Sequence, residues 1–275
     1  MRTRLLAGTA AGLLLALAGA VPASGATAGN ASLSVLHGVP DLMVDVYVNG
    51  KLTLDNFAPG ALAGPLDLAP GTYKVAITAA DAADDSAPAI GPVDLPLAAN
   101  MNYTAVAHLD AAGKPTATLF TNDTSKTAAG QGRLTVRHTA AAPAVDVLAG
   151  GAAVISGLVN PKEQVLNLPP ATLSAAVAAA GTTAPVIGPA DVKVSEGVNT
   201  IVYAWGSLEA KNLKLAVQTI EGLHSAPSGV PSGELGLAGE PSSSAGWLIG
   251  MSLLLAAGGA VIVARRPAPV RVERD

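Results

Sequence analysis

Apolar and polar residues alternate with a period of two through most of the middle of the chain. Leu33, Val35 and His37 fall on one face of a segment, with Ser34 and Leu36 on the other. Val44, Val46 and Val48 alternate with Asp45, Tyr47 and Asn49. A period of two predicts half-buried β-strands. Asn49-Gly50 is a strong two-residue hairpin signal, and Gly150-Gly151 takes its place further along. Residues 102–109, 116–120, 198–206 and 213–220 also read as strands. The Ala-rich stretch 174–180 has helical propensity. Its counterpart 74–80 is β-like, and both are read as strands.

The pattern occurs twice. Leu33-Ser34-Val35-Leu36-His37 returns as Leu134-Thr135-Val136-Arg137-His138, and Val44-Asp45-Val46 as Val145-Asp146-Val147. Ala89-Ile90-Gly91-Pro92 returns as Val186-Ile187-Gly188-Pro189. Order is kept throughout, so the chain carries an internal tandem repeat. Its two copies are placed at 31–120 and 133–220, with a short polar linker at 121–132. Seven or eight short strands per copy, parted by Pro and Gly turns, predict an all-β protein. The expected architecture is two immunoglobulin-like antiparallel β-sandwiches.

The ends follow another pattern. Arg2 and Arg4 precede an apolar run that Pro22 closes, and small residues follow. This layout predicts a secretory signal peptide at 1–26. Residues 246–264 form a second uncharged apolar run, 19 residues long. At ~1.5 Å per residue it spans the ~30 Å hydrocarbon core of a bilayer as a helix. Arg265 and Arg266 follow, which places the tail 265–275 on the cytoplasmic side. The Pro-, Gly- and Ser-rich stretch 221–245 reads as a flexible stalk. Leu237-Ala238-Gly239-Glu240-Pro241, a Ser run, the span and two Arg imitate a sortase sorting signal, but without the scissile Thr-Gly pair.

Composition narrows the chemistry. The chain has no cysteine, which excludes disulfides, thiol catalysis and zinc–thiolate sites. Aromatic residues make up 3% of it, so any core is built from small aliphatic side chains. The segment 27–245 carries ten basic and eighteen acidic residues. That balance argues against a nucleic-acid partner.

His37 with Asp45, repeated as His138 with Asp146, is the one recurrent polar pair. A base or a metal ligand is one reading. A structural reading fits better: each His ends an inward-facing row, where it can bond loop backbone, and each Asp sits between inward Val residues and so faces out. Thr135 and Arg137 also read as an outer face. Asp81, Asp84 and Asp85 cluster in a loop but lack calcium-loop spacing, and read as solvated. No nucleophile elbow, phosphate loop or His-Glu-x-x-His occurs. No catalytic, cofactor-binding or metal residue is assigned.

The run from Val35 to Gly50, with His37, Pro40-Asp41, Val44-Asp45-Val46-Tyr47 and Asn49-Gly50, resembles the opening of the domain-of-unknown-function family 4397 (DUF4397). Leu68-Ala69-Pro70-Gly71-Thr72-Tyr73 is similar to a later stretch of that family. The second copy departs further, with Ala140 to Ala142 in place of the Pro-Asp turn and Leu148 in place of Tyr47. The resemblance implies exported bacterial β-sandwich domains, often in tandem, and no established activity. The chain is therefore expected to be a single-pass bacterial surface protein, held in the lipid bilayer by one helix, with its domains outside. Its expected role is non-enzymatic: adhesion, envelope scaffolding or ligand binding, with an envelope protein or the cell wall as partner. An accessory or sensor subunit docked on another membrane protein is the alternative.

Overall fold

The computed structural model describes residues 29–225. The expected signal peptide (1–26), membrane span (246–264) and cytoplasmic tail (265–275), and most of the expected stalk, lie outside the described residues. Within them the chain is all β. The first copy forms β1 (Ala31–Gly38), β2 (Val44–Val48), β3 (Lys51–Phe57), β4 (Leu62–Leu68), β5 (Gly71–Ala79), β6 (Ile90–Leu97), β7 (Asn102–Leu109) and β8 (Pro115–Thr121). The second forms β9 (Gly132–Ala141), β10 (Val145–Ala149), β11 (Ala152–Leu158), β12 (Glu163–Leu168), β13 (Ala171–Ala179), β14 (Pro185–Val194), β15 (Asn199–Ser207) and β16 (Lys214–Ile220). The Ala-rich stretch is strand β13, as its repeat partner β5 requires.

Each copy is a pair of four-stranded sheets. The orders are β4-β1-β7-β8 with β3-β2-β5-β6, and β12-β9-β15-β16 with β11-β10-β13-β14. Inward-facing aliphatic rows close separate interiors, one around Leu33 and Val46, the other around Leu134 and Val147. The expectation of purely antiparallel sheets needs correction. β1 pairs with β7, and β9 with β15, in parallel. Parallel neighbours need a long crossover, and five strands supply it in each copy.

The Ile-Gly-Pro repeat has a local cause. Gly91 and Gly188 hold φ of +96° and +83°, and a Cβ there would stand 2.6 Å and 2.8 Å from the carbonyls of Val75 and Ala175. Only glycine fits where β6 and β14 cross their neighbours so closely.

The two sandwiches also pack on each other, which the alternation does not foretell. β1, β7, β9 and β15 are buried on both faces along nearly their whole length. Leu36, Val106 and Phe120 of the first sandwich form one buried cluster with Ile201 and Tyr203 of the second. Thr135 and Arg137, expected on an outer face, are buried in this seam, since that face meets the other sandwich instead of water. The polar segment between the copies is packed as well. Asn122 and Thr127 are buried, and Thr127 N–H donates to the Leu223 carbonyl at 2.8 Å. The first residues of the expected stalk are thus tied to the fold.

Candidate functional site

The recurrent His and Asp side chains are built into two separate devices. His37 Nε2 lies 2.7 Å from the Leu42 carbonyl, and His138 Nε2 lies 3.0 Å from that of Pro143. Each ring, about 1% exposed, ties the end of its strand to the loop that follows. His138 Nδ1 accepts from Ala140 N–H at 3.4 Å, whereas His37 Nδ1 is buried without a partner. Burial holds both imidazoles below the usual histidine range.

The aspartates do not face solvent, as the alternation suggests; they are buried beneath a bulge. Between Val44 and Val46 the partner strand β3 carries an extra residue, and so does β11 opposite Val145 and Val147. Asp45 Oδ1 accepts from Asn56 N–H at 2.8 Å, and Asp146 Oδ1 from Gly157 N–H at 2.7 Å. Asn56 and Gly157 are equivalent positions, both with positive φ. A β-bulge leaves a backbone donor out of the ladder, and the aspartate supplies its acceptor. Asp146 Oδ2 also accepts from Gly181 N–H at 2.8 Å. The two backbone donors keep its carboxyl below the usual range. Neither His bonds the Asp of its own copy, so the pair is not assembled into one site.

Asp81 and Asp84 are exposed and Asp85 half-buried; Asp84 Oδ1 accepts from Ser86 N–H at 3.0 Å. Among the described residues no three His, Asp or Glu side chains group as a cation would need.

Sequence reasoning missed the two most distinctive features. One is a polar relay across the seam. Arg137, 1% exposed, donates from Nε to Glu163 Oε2 at 2.7 Å and from Nη1 to Tyr203 Oη at 2.8 Å. Tyr203 Oη donates to Gln218 Oε1 at 2.6 Å, and Thr104 Oγ1 of the first sandwich donates to the same oxygen at 2.9 Å. Asn122 Nδ2 completes the run by donating to Thr104 Oγ1 at 2.9 Å. Asn160 Nδ2 bridges the carbonyls of Leu109 and Ala140 at 2.8 and 2.7 Å. The relay satisfies buried groups of both sandwiches together, which favours one arrangement of the two, although Asn160 Oδ1 and Trp205 Nε1 stay without a partner.

The other is a cavity of about 220 Å³ between the sheets of the first sandwich. All eight strands contribute to its wall, from Leu66 and Leu68 on β4, through Ala105 and Ala107 on β7, to Ala117 on β8. The wall is aliphatic apart from Lys51 and Thr53 at the exposed edge of β3. The corresponding space in the second sandwich is about 30 Å³. There Val202 and Leu215 stand where the first copy has Ala105 and Ala117, although Ala175 replaces Val75 on the facing sheet. The signal in the sequence was Ala105 and Ala117 in one copy, answered by Val202 and Leu215 in the other.

Residues 31–148 match the family model described as Domain of unknown function (DUF4397), which runs through the first sandwich and into β10 of the second. No curated protein matches the chain.

Proposed function

Through residues 31–148 the chain belongs to the DUF4397 family, and on that premise we propose that it is an exported, single-pass bacterial surface protein whose two sandwiches serve as a non-enzymatic module for adhesion, envelope scaffolding or ligand binding. The observation that carries this reading is the seam. Buried Arg137, Tyr203, Gln218 and Thr104 fasten the two sandwiches into one body, as a presenting or spacing element requires. The recurrent polar residues support it too. The side-chain hydrogen bonds that His37, His138, Asp45 and Asp146 make all go to backbone. Two facing sheets of short strands, with the chain passing repeatedly between them, support an immunoglobulin-like type for each sandwich.

The signal peptide at 1–26, the span at 246–264 and the cytoplasmic Arg265 and Arg266 are part of the same proposal, supported by charge and apolar patterning. External protease on intact spheroplasts should remove the sandwiches and spare an epitope on the tail. A sandwich region that stays protected would defeat the topology. Crosslinking on intact cells, followed by identification of the attached species, should recover envelope proteins or wall material. Recovery of one stoichiometric membrane complex would instead favour an accessory subunit.

A further inference from the structure

We propose that the cavity of the first sandwich binds a single unbranched alkyl chain bearing an anionic head group, with the chain between the sheets and the head beside Lys51. The inference goes beyond the surface role proposed above and does not depend on how the protein is anchored.

The volume is the first argument. A cavity of about 220 Å³ exceeds the ~150 Å³ at which an apolar cavity in a protein takes up benzene. Native interiors close such space to within a few water-sized voids, and the second sandwich does so, at about 30 Å³. The two copies share strand order, and β1 with β4 carries a bulge that its counterpart β9 with β12 lacks, so the strand order itself does not demand the open space.

The shape and the chemistry of the wall choose the ligand. The cavity is lined right across the sheet from β4 to β8, a width of three strand spacings, or about 14 Å. It is confined between two sheets, so it is long and thin. No aromatic side chain lines it, which removes the stacking surface that sugars and planar rings use. No polar group lies along it except at the β3 edge. A ligand with internal polar atoms would bury them unpaired, whereas methylene groups would lose nothing.

The mouth supplies the head-group preference. β3 and β4 are the outer strands of their two sheets, and their residues are half-buried or exposed. Lys51 opens β3 there and makes no ion pair among the described residues. Its ammonium on a long stem can meet a carboxylate or phosphate at the rim while its methylenes cover the ligand.

The test is photolabelling of the full chain in intact cells with a decanoate that carries a diazirine near its methyl end. A phospholipid with the same diazirine in one acyl chain runs in parallel. Labelling of β4, β7 or β8 peptides by the free acid assigns a fatty acid, and labelling by the phospholipid assigns an esterified chain. Absence of both overturns the proposal. Ala117→Leu and Ala105→Val copy the second sandwich and should each cut labelling at least tenfold while the protein keeps its melting temperature. Labelling that survives both variants together places the probe elsewhere and overturns the site. Lys51→Glu should weaken labelling by the acid severalfold and leave a decanol-based probe unchanged. Equal loss for both probes overturns the head-group assignment.

Discussion

The guanidinium carbon of Arg137 lies 4.3 Å from the centre of the Phe120 ring, so a cation of the second sandwich rests on an aromatic face of the first. Both side chains are buried. The contact gives a measurable coupling between the sandwiches. Arg137→Ala also removes the partner of Glu163 and one of the two hydrogen bonds of the Tyr203 hydroxyl, and should cost about 3 kcal/mol. In a double-mutant cycle with Phe120→Ala, an interaction of about 0.5–2 kcal/mol is expected from denaturant unfolding. Strict additivity would mean that the stacked geometry contributes nothing.

Protonation of the buried histidines should loosen the protein. Burial pulls His37, His108 and His138 below the ordinary histidine value of about 6.5. Between its folded pKa and 6.5 each site binds more protons unfolded than folded, so stability rises with pH there. It is fully present above 6.5 and is lost as pH falls toward the folded pKa, by up to ~1.4 kcal/mol per pH unit for each ring. Melting temperatures measured from pH 7.5 down to 5 should fall, and His138→Gln should flatten the fall. A profile that rises on acidification in this window would reverse the assignment.

The bulge acceptors should matter in both copies, and Asp146 more than Asp45, since Asp146 also holds the Gly181 N–H. Asp45→Ala removes the side-chain acceptor of the Asn56 N–H; Asn56 is itself exposed, so water can take that place and the cost is about 0.5–1.5 kcal/mol. Hydrogen exchange should quicken at Asn56 and its neighbours in β3 first. If the affected amides lie elsewhere, Asp45 has another role.

Trp205 offers a test of how tightly the seam is closed. A Cβ on Gly60 would come within 2.7 Å of the Trp205 ring, while one on Gly113 would meet nothing within 4 Å. The two glycines have nearly the same φ, +80° and +81°. Gly113→Ala therefore reports the backbone strain alone, about 1–2 kcal/mol. Gly60→Ala adds the clash and should lower the melting temperature clearly further. Equal effects would show that Trp205 yields freely.

Much of the fold was legible because each strand alternates and each turn carries its own chemistry. Asn102–Leu109, with its run of alternating residues, became β7 to the residue. The parallel pairing of β1 with β7 was not legible, since period two says nothing of strand direction. The seam was hidden for a related reason. Ser34, Thr104 and Thr135 are the residue types that a solvated face would carry, yet they are buried because another sheet covers them. Asp45 and Asp146 failed in the same way: alternation gives the face but not what lies over it. The cavity depends on the distance between two sheets, which no one-dimensional pattern encodes.

The surfaces that meet in the seam are equivalent ones, since Arg137 occupies the repeat position of Leu36, Tyr203 that of Val106 and Ile201 that of Thr104. Two identical subunits meeting this way would be a two-fold homodimer, in which every change appears on both sides at once. A buried arginine would then arrive in duplicate, with two like charges in one small interface. Joining the subunits in one gene removes that constraint. One half is free to be polar while the other stays aromatic and aliphatic, and the resulting partnership is heteromeric in chemistry although its parts share one strand plan.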